Sequence, residues 1–298
     1  MKKLILFCLL VSSFCFAQSN RFIYEYKYIP NINQKDTIRK EMMVLDIEKE
    51  GSKYYSYDRF IQDSIMKVDL EKQLSMGSNN IKMNRNERMG RVGYKVNKTY
   101  PDFKTTLSTT IGQDQYKVLE DEKLNWKILP ETKKIGEYET QKATASFGGR
   151  EWIAWFSKDI PFQDGPYKFH GLPGLIVKAE DSTGSHVMTL VANKKLENTF
   201  DTEIKSGSFN SGIFDRKEIE VDEPKFKKIW QEYLKDPSKS MRQMMMGNSP
   251  TNTVIIKMKT PDGRELSDPN EIYRNMEKRV KENEAKNNNK IEPTLYDQ

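Results

Sequence analysis

The sequence predicts a mainly β protein: a curved antiparallel sheet or open barrel with C-terminal helices packed on or beside it. Aromatic side chains fall at Phe22, Tyr24, Tyr26 and Tyr28 with Glu25 and Lys27 between them, and a period of two marks one face of a strand. Similar runs recur as far as Ala192, joined by short polar links with no long helical pattern between them, as in an antiparallel meander rather than β-α-β units. After Asp222 the apolar period lengthens to that of a helix.

The first segment is not part of that fold. A basic head, Met1 to Lys3, precedes the apolar run Leu4 to Phe16, and Cys15-Phe16-Ala17 stands before Gln18, the three-part plan of a cleavable export leader. The apolar run falls well short of the roughly 20 residues that cross a bilayer as a helix. Cleavage after Ala17 is expected, leaving residues 18–298 without a transmembrane segment in the periplasm or cell envelope. A lipoprotein cut before Cys15 needs a small residue where Phe14 stands. Both cysteines, Cys8 and Cys15, leave with residues 1–17, which excludes disulfides, cysteine-based zinc sites and cysteine nucleophiles from the mature chain. The leader also removes two lysines and no acid, so the net charge falls from +6 to +4. With charged residues at 31% and their signs interleaved, this is a solvated surface and not a nucleic-acid stripe.

Strands are expected at Arg21 to Ile29, Met42 to Ile47, Lys53 to Tyr57, Ser64 to Leu70, Val92 to Val96, Gln115 to Leu119 and Leu124 to Leu129. Gly136 to Phe147, Glu151 to Phe156, Leu175 to Glu180 and His186 to Ala192 follow, the last two joined through Asp181-Ser182-Thr183-Gly184-Ser185 as a hairpin. The strand at Glu151 carries Trp152, Ala154 and Phe156 on one face and Ile153 and Trp155 on the other, so both faces need cover. Pro224 then opens an amphipathic helix through Phe226, Ile229, Trp230, Tyr233 and Leu234, and Ser238 or Ser240 caps a second through Met246. Thr253 to Lys259 reads as strand and Pro269 to Lys286 as a polar helix. The β-rich domain thus spans 18–260, with its helical segment at about 223–246, and 261–298 is expected as a polar, helical and partly disordered tail.

One stretch is more specific than its surroundings. Gly165 to Ile176 reads Gly-Pro-Tyr-Lys-Phe-His-Gly-Leu-Pro-Gly-Leu-Ile, preceded by Trp126, Gln141-Lys142-Ala143-Thr144, Gly149-Arg150-Glu151-Trp152 and Asp159-Ile160-Pro161. This pattern resembles the GLPGLI family over roughly Leu124 to Asp181, although Thr140 stands where many relatives have cysteine. The resemblance implies an exported β-rich protein and supplies no reaction and no catalytic residues. Physically, the glycines and prolines build a rigid, sharply turning link. In one reading its backbone amides, with Arg150, Trp152, Trp155, Lys168, Gly171 and Gly174, hold an acidic or apolar ligand. In the other, Leu172, Leu175 and Ile176 plug one end of the sheet, and punctuation of this kind more often serves geometry.

Metal chemistry is the second class considered. His170 and His186, with Asp164, Glu180 and Asp181 close in sequence, supply zinc- or iron-type ligands if the hairpin brings them together, although their spacing matches no metal motif. The cluster from Met241 to Met246 offers thioethers for Cu(I), against which consecutive methionines point round a helix and not to one focus. Ser64-Ile65-Met66-Lys67 fits a serine-x-x-lysine pattern without its companion motifs. The expectation is therefore a non-enzymatic binding module for an apolar ligand or an envelope protein partner, with a metal-binding protein as the alternative. No cofactor is specified by any motif.

Overall fold

The structure is a computed structural model that describes residues 19–76, 90–120, 122–196, 217–246, 258–259, 265–266 and 268–296. The segment expected to be an export leader, residues 1–17, lies outside these residues. Among the described residues twelve strands form one sheet that does not close, and the expected mainly β class is what is found.

Two antiparallel meanders make that sheet. The first comprises β1 (Ser19–Tyr28), β2 (Arg39–Glu48), β3 (Gly51–Ser56), β4 (Lys95–Thr99), β5 (Lys104–Ile111) and β6 (Asp114–Leu119). The second comprises β7 (Lys127–Ile135), β8 (Tyr138–Phe147), β9 (Arg150–Ser157), β10 (Leu175–Asp181) and β11 (His186–Leu196). β11 pairs with β1, which joins the two meanders, and β12 (Ile219–Asp222) adds to β6 in parallel. Along β1 the residues Phe22, Tyr24 and Tyr26 lie on the buried face, opposite Leu45, Met43 and Glu41 of β2.

The sheet must curl. Phe169, in the link between β9 and β10, packs its ring at a tilt 4.6 Å from that of Trp152 on β9. Its carbonyl accepts a hydrogen bond of 3.2 Å from Lys98 Nζ on β4. Strands β4 and β9 are six neighbours apart in the sheet, about 29 Å if the sheet were flat. One residue reaches both only because the sheet wraps around it.

Ser64 to Leu70 is a correction. These residues lie in α1 (Tyr57–Ser75), not in a strand. Ser56 Oγ accepts from the Arg59 amide at 3.2 Å as a helix cap, and Asp58 sits in the first turn, where the helix dipole favours an acid. Ile61, Ile65 and Val68 follow a helical period, whereas Met66, Val68 and Leu70 alternate as in a strand, so the stretch carries both patterns. Ser64 Oγ donates to the Phe60 carbonyl at 2.8 Å, so its hydroxyl is taken up by the helix backbone.

The helices after β12 match their sequence signals closely. In α2 (Glu223–Lys235), Asp222 caps the Lys225 amide at 2.9 Å and Pro224 fills the first turn; Phe226 and Trp230 are buried. The short α3 is Lys239–Met246. In α4 (Pro269–Lys286) the same device recurs, with Asp268 capping Asn270. Of the strand expected at Thr253 to Lys259 only β13 (Met258–Lys259) is described, paired with β14 (Glu265–Leu266).

Where disorder was expected after α4, the chain folds back. Asn289 donates from its amide to Pro30 O at 3.0 Å and from its side chain to Ile29 O at 2.7 Å. Arg39 donates to Asn287 Oδ1 at 2.7 Å. Ile291, Glu292 and Leu295 are buried against the sheet interior, and Pro293–Tyr296 forms a 3-10 turn.

Candidate functional site

The link from Ser157 to Leu175 fills the concave face of the sheet. Tyr167, Phe169 and Leu172 are each at most 1% exposed. Gly174, at φ +147°, passes so close to the Ser157 carbonyl that an added Cβ would stand 2.1 Å from its oxygen. Gly165 abuts Ile176 in the same way, whereas Gly171 faces open space.

The amides proposed as anion donors are spent inside the link. Gly165 N donates to Asp164 Oδ1 at 2.6 Å, Gly171 N to Gln163 O at 2.9 Å and Gly174 N to Leu172 O at 2.8 Å. Lys98, buried on β4, donates to Gly165 O at 2.7 Å and pairs with Asp164, which also accepts from the Tyr100 hydroxyl. The link is thus a plug pinned by a buried ion pair.

Both cations of the predicted ligand set are likewise held by the protein. Arg150 reaches Asp181 at 3.0 Å, Asn289 Oδ1 and Lys290 O at 2.6 Å and Ile291 O at 3.2 Å, which clamps the returning C-terminal segment onto β9. Lys168 bonds Glu292 at 2.9 Å and also pairs with Glu120. Trp152 lies in the core and donates to Phe147 O at 3.1 Å. Trp155 lies on the opposite face of β9, with the Lys133 ammonium 3.8 Å from its ring centre. The two tryptophans therefore belong to different environments.

The histidines do not share one either. His170 stacks on Phe103 at 4.6 Å, and burial, helped by the Lys98 charge, lowers its pKa to about 4. His186 stacks against Tyr26 and Tyr28, and its Nδ1 shares a 2.6 Å hydrogen bond with the Tyr26 hydroxyl. Burial and then Arg150 push its pKa down to about 3. The carboxylates near them already have cations: Asp164 has Lys98, Glu180 has Lys178 and Asp181 has Arg150. Met241 lies in α3, and the side chains of Met244, Met245 and Met246 lie outside the described residues.

Two features remain that sequence reasoning missed. The first is a carboxylate cluster around Lys168 at one mouth of the curled sheet: Glu120 follows β6, Glu223 opens α2 and Glu292 precedes the 3-10 turn. Oxygens of the three carboxylates lie within 4.8 Å of one another, and among the described residues this is the group with metal-ligand spacing. Burial, then the neighbouring Glu120 carboxylate and a hydrogen bond to it, raise the Glu223 pKa to about 7. Burial also raises Glu292. Glu120 is desolvated too, yet the Lys168 charge overrides this and holds it below its ordinary value. The one trace in the sequence is Lys168 itself, a charge between Tyr167 and Phe169 that needs a buried counter-ion. Its partners, 48 and 124 residues away, leave no local pattern.

The second is a groove of about 590 Å³ between the β5–β6 turn, α2 and α4. Ile111, Trp230, Tyr233, Met276 and Val280 give it an apolar lining, and Arg279, Lys286, Glu282 and Glu284 supply charge. Gly112 allows the close approach of Tyr233, whose ring would stand 3.3 Å from an added Cβ.

A family model described as a protein of unknown function (Porph_ging) matches residues 148–178, from the β8–β9 turn through the plug into β10. No curated protein matches the chain. Two solved structures of PNGF-II, in the C2 and P21 space groups, are similar with TM-scores of 0.43 and 0.42, at 15% and 14% identity over 69% of this chain. The chain spans 31% and 32% of the length of those chains. Among the described residues no helix is long and apolar enough to cross a membrane.

Proposed function

We propose that this chain is an exported envelope protein that acts by binding, and that its ligand is a small apolar molecule held in the groove of Trp230. The leader at residues 1–17 supports the export. The binding reading rests on one observation: the concave face of the sheet is occupied by the chain's own plug, while the open Trp230 groove has, at about 590 Å³, the size of a small-molecule site, with an apolar patch of Ile111, Trp230, Tyr233, Met276 and Val280 beside charged residues. Catalysis has less support, because Arg150, Lys168 and the buried acids beside them are bonded to one another.

Native mass spectrometry of protein purified gently from the host envelope tests both parts. The expected species begins at Gln18 and carries a small apolar adduct. Titration with an apolar fluorescent probe such as anilinonaphthalene sulfonate then locates the site, with Trp230→Phe and Val280→Asp expected to weaken binding at least about tenfold. Unchanged probe affinity in both variants sinks the groove assignment, and an intact mass that retains residues 1–17 sinks the export.

A further inference from the structure

Glu120, Glu223 and Glu292 come from three distant parts of the chain, yet their oxygens converge to within 4.8 Å. Lys168 answers only part of their charge. With all three ionised, three negative charges face one ammonium, an excess of two in a partly desolvated site. A second observation is independent of that count. Glu292 is 2% exposed, its Oε2 accepts from Lys168, and its Oε1 has no hydrogen-bond partner, although the Tyr167 hydroxyl stands beside the same carboxyl. A buried carboxylate oxygen without a donor costs about 1–3 kcal/mol unless a positive group meets it.

We propose that Glu120, Glu223 and Glu292 form a binding site for a hard divalent cation, calcium in the first instance, with Lys168 remaining as the neighbouring counter-charge. Oxygen-only ligands select calcium, magnesium or manganese over zinc and copper. Calcium at about 2.3–2.6 Å from each oxygen spans separations of this order, and waters complete its shell. Its two charges cancel the excess of two. The bound ion ties the end of β6 and the start of α2 to the C-terminal segment.

The test uses the purified protein stripped with a chelator, with thermal unfolding and calorimetric titration read against calcium and magnesium at pH 6, 7 and 8. Calcium is expected to raise Tm, and the rise to grow with calcium concentration, as for a ligand that binds the folded chain and not the unfolded one. Glu223→Gln keeps a hydrogen bond to Glu120, folds without metal, and is expected to lose the calcium response. Glu292→Gln should behave likewise; if it fails to fold, Glu223→Gln decides. No calcium response in the wild type at pH 8 overturns the proposal, as does a Glu223→Gln protein that binds calcium like the wild type. The groove plays no part in this test, so its outcome is separate from that of the probe titration.

Discussion

Two glycines three residues apart carry different burdens. Gly174 combines φ +147° with a carbonyl in the space a side chain would need, whereas Gly171, at φ +89°, has nothing within 4 Å. Gly171→Ala should therefore cost only the left-handed backbone term, about 1–2 kcal/mol. Gly174→Ala adds a displacement of the β9 end and should cost at least about 2 kcal/mol more in urea unfolding. Equal effects would show that the plug does not press against Ser157. The Lys98–Asp164 pair makes a second residue-scale case. Lys98→Met leaves a buried carboxylate uncompensated and should cost about 3–5 kcal/mol. Adding Asp164→Asn to Lys98→Met removes that charge and should recover at least about 1 kcal/mol of the loss, because the penalty lies in the orphaned ion.

Among the elements, the C-terminal return is where sequence and structure differ most. Leu295 is 1% exposed and packs into the same core as Phe226 and Trp152. Leu295→Ala should then destabilise the protein by about 2–5 kcal/mol. Ile128→Ala, on the exposed edge strand β7, should stay within about 0.5 kcal/mol. A silent Leu295→Ala would mean that the segment is loosely held after all. Nothing local in the sequence announces this packing: Ile291 and Leu295 are isolated among polar residues, and their burial depends on Arg150 and the β1–β2 loop. The helices α2 and α4 were legible because each opens with an aspartate cap and a proline at the first turn. For α1, Ile61, Ile65 and Val68 carry a helical period while Met66, Val68 and Leu70 alternate as in a strand, and the Ser56 cap decides between the two. β5 was not assigned because five of its eight residues, Lys104-Thr105-Thr106-Leu107-Ser108-Thr109-Thr110-Ile111, are serine or threonine, which leaves too few large apolar side chains to mark a face.

For the whole molecule, the buried ionisable groups set opposing pH limbs. His170 and His186 titrate near 4 and 3 in the fold, against 6.5 in an open chain. Below pH 6.5 the unfolded chain takes protons that the folded chain refuses, so their contribution is present above that pH and is lost on acidification towards 4 and 3. Glu223 runs the other way: raised from 4.5 to about 7, it binds its proton first in the fold. Its contribution is complete below pH 4.5 and lost as pH rises through 7. Variants separate the limbs. With chelator present, Glu223→Gln should gain on the wild type between pH 6 and 8, by about 1 kcal/mol after allowing for screening at a partly exposed carboxyl. His186→Phe keeps a ring against Tyr26 and Tyr28 but cannot be protonated, so whatever it costs at pH 7 should shrink steadily between pH 6 and 4. Denaturant midpoints of the three proteins across pH 4 to 8 measure both slopes. If the Glu223→Gln difference stays flat while the His186→Phe difference changes, the acids around Lys168 do not share a proton and the mouth of the sheet is held by packing alone.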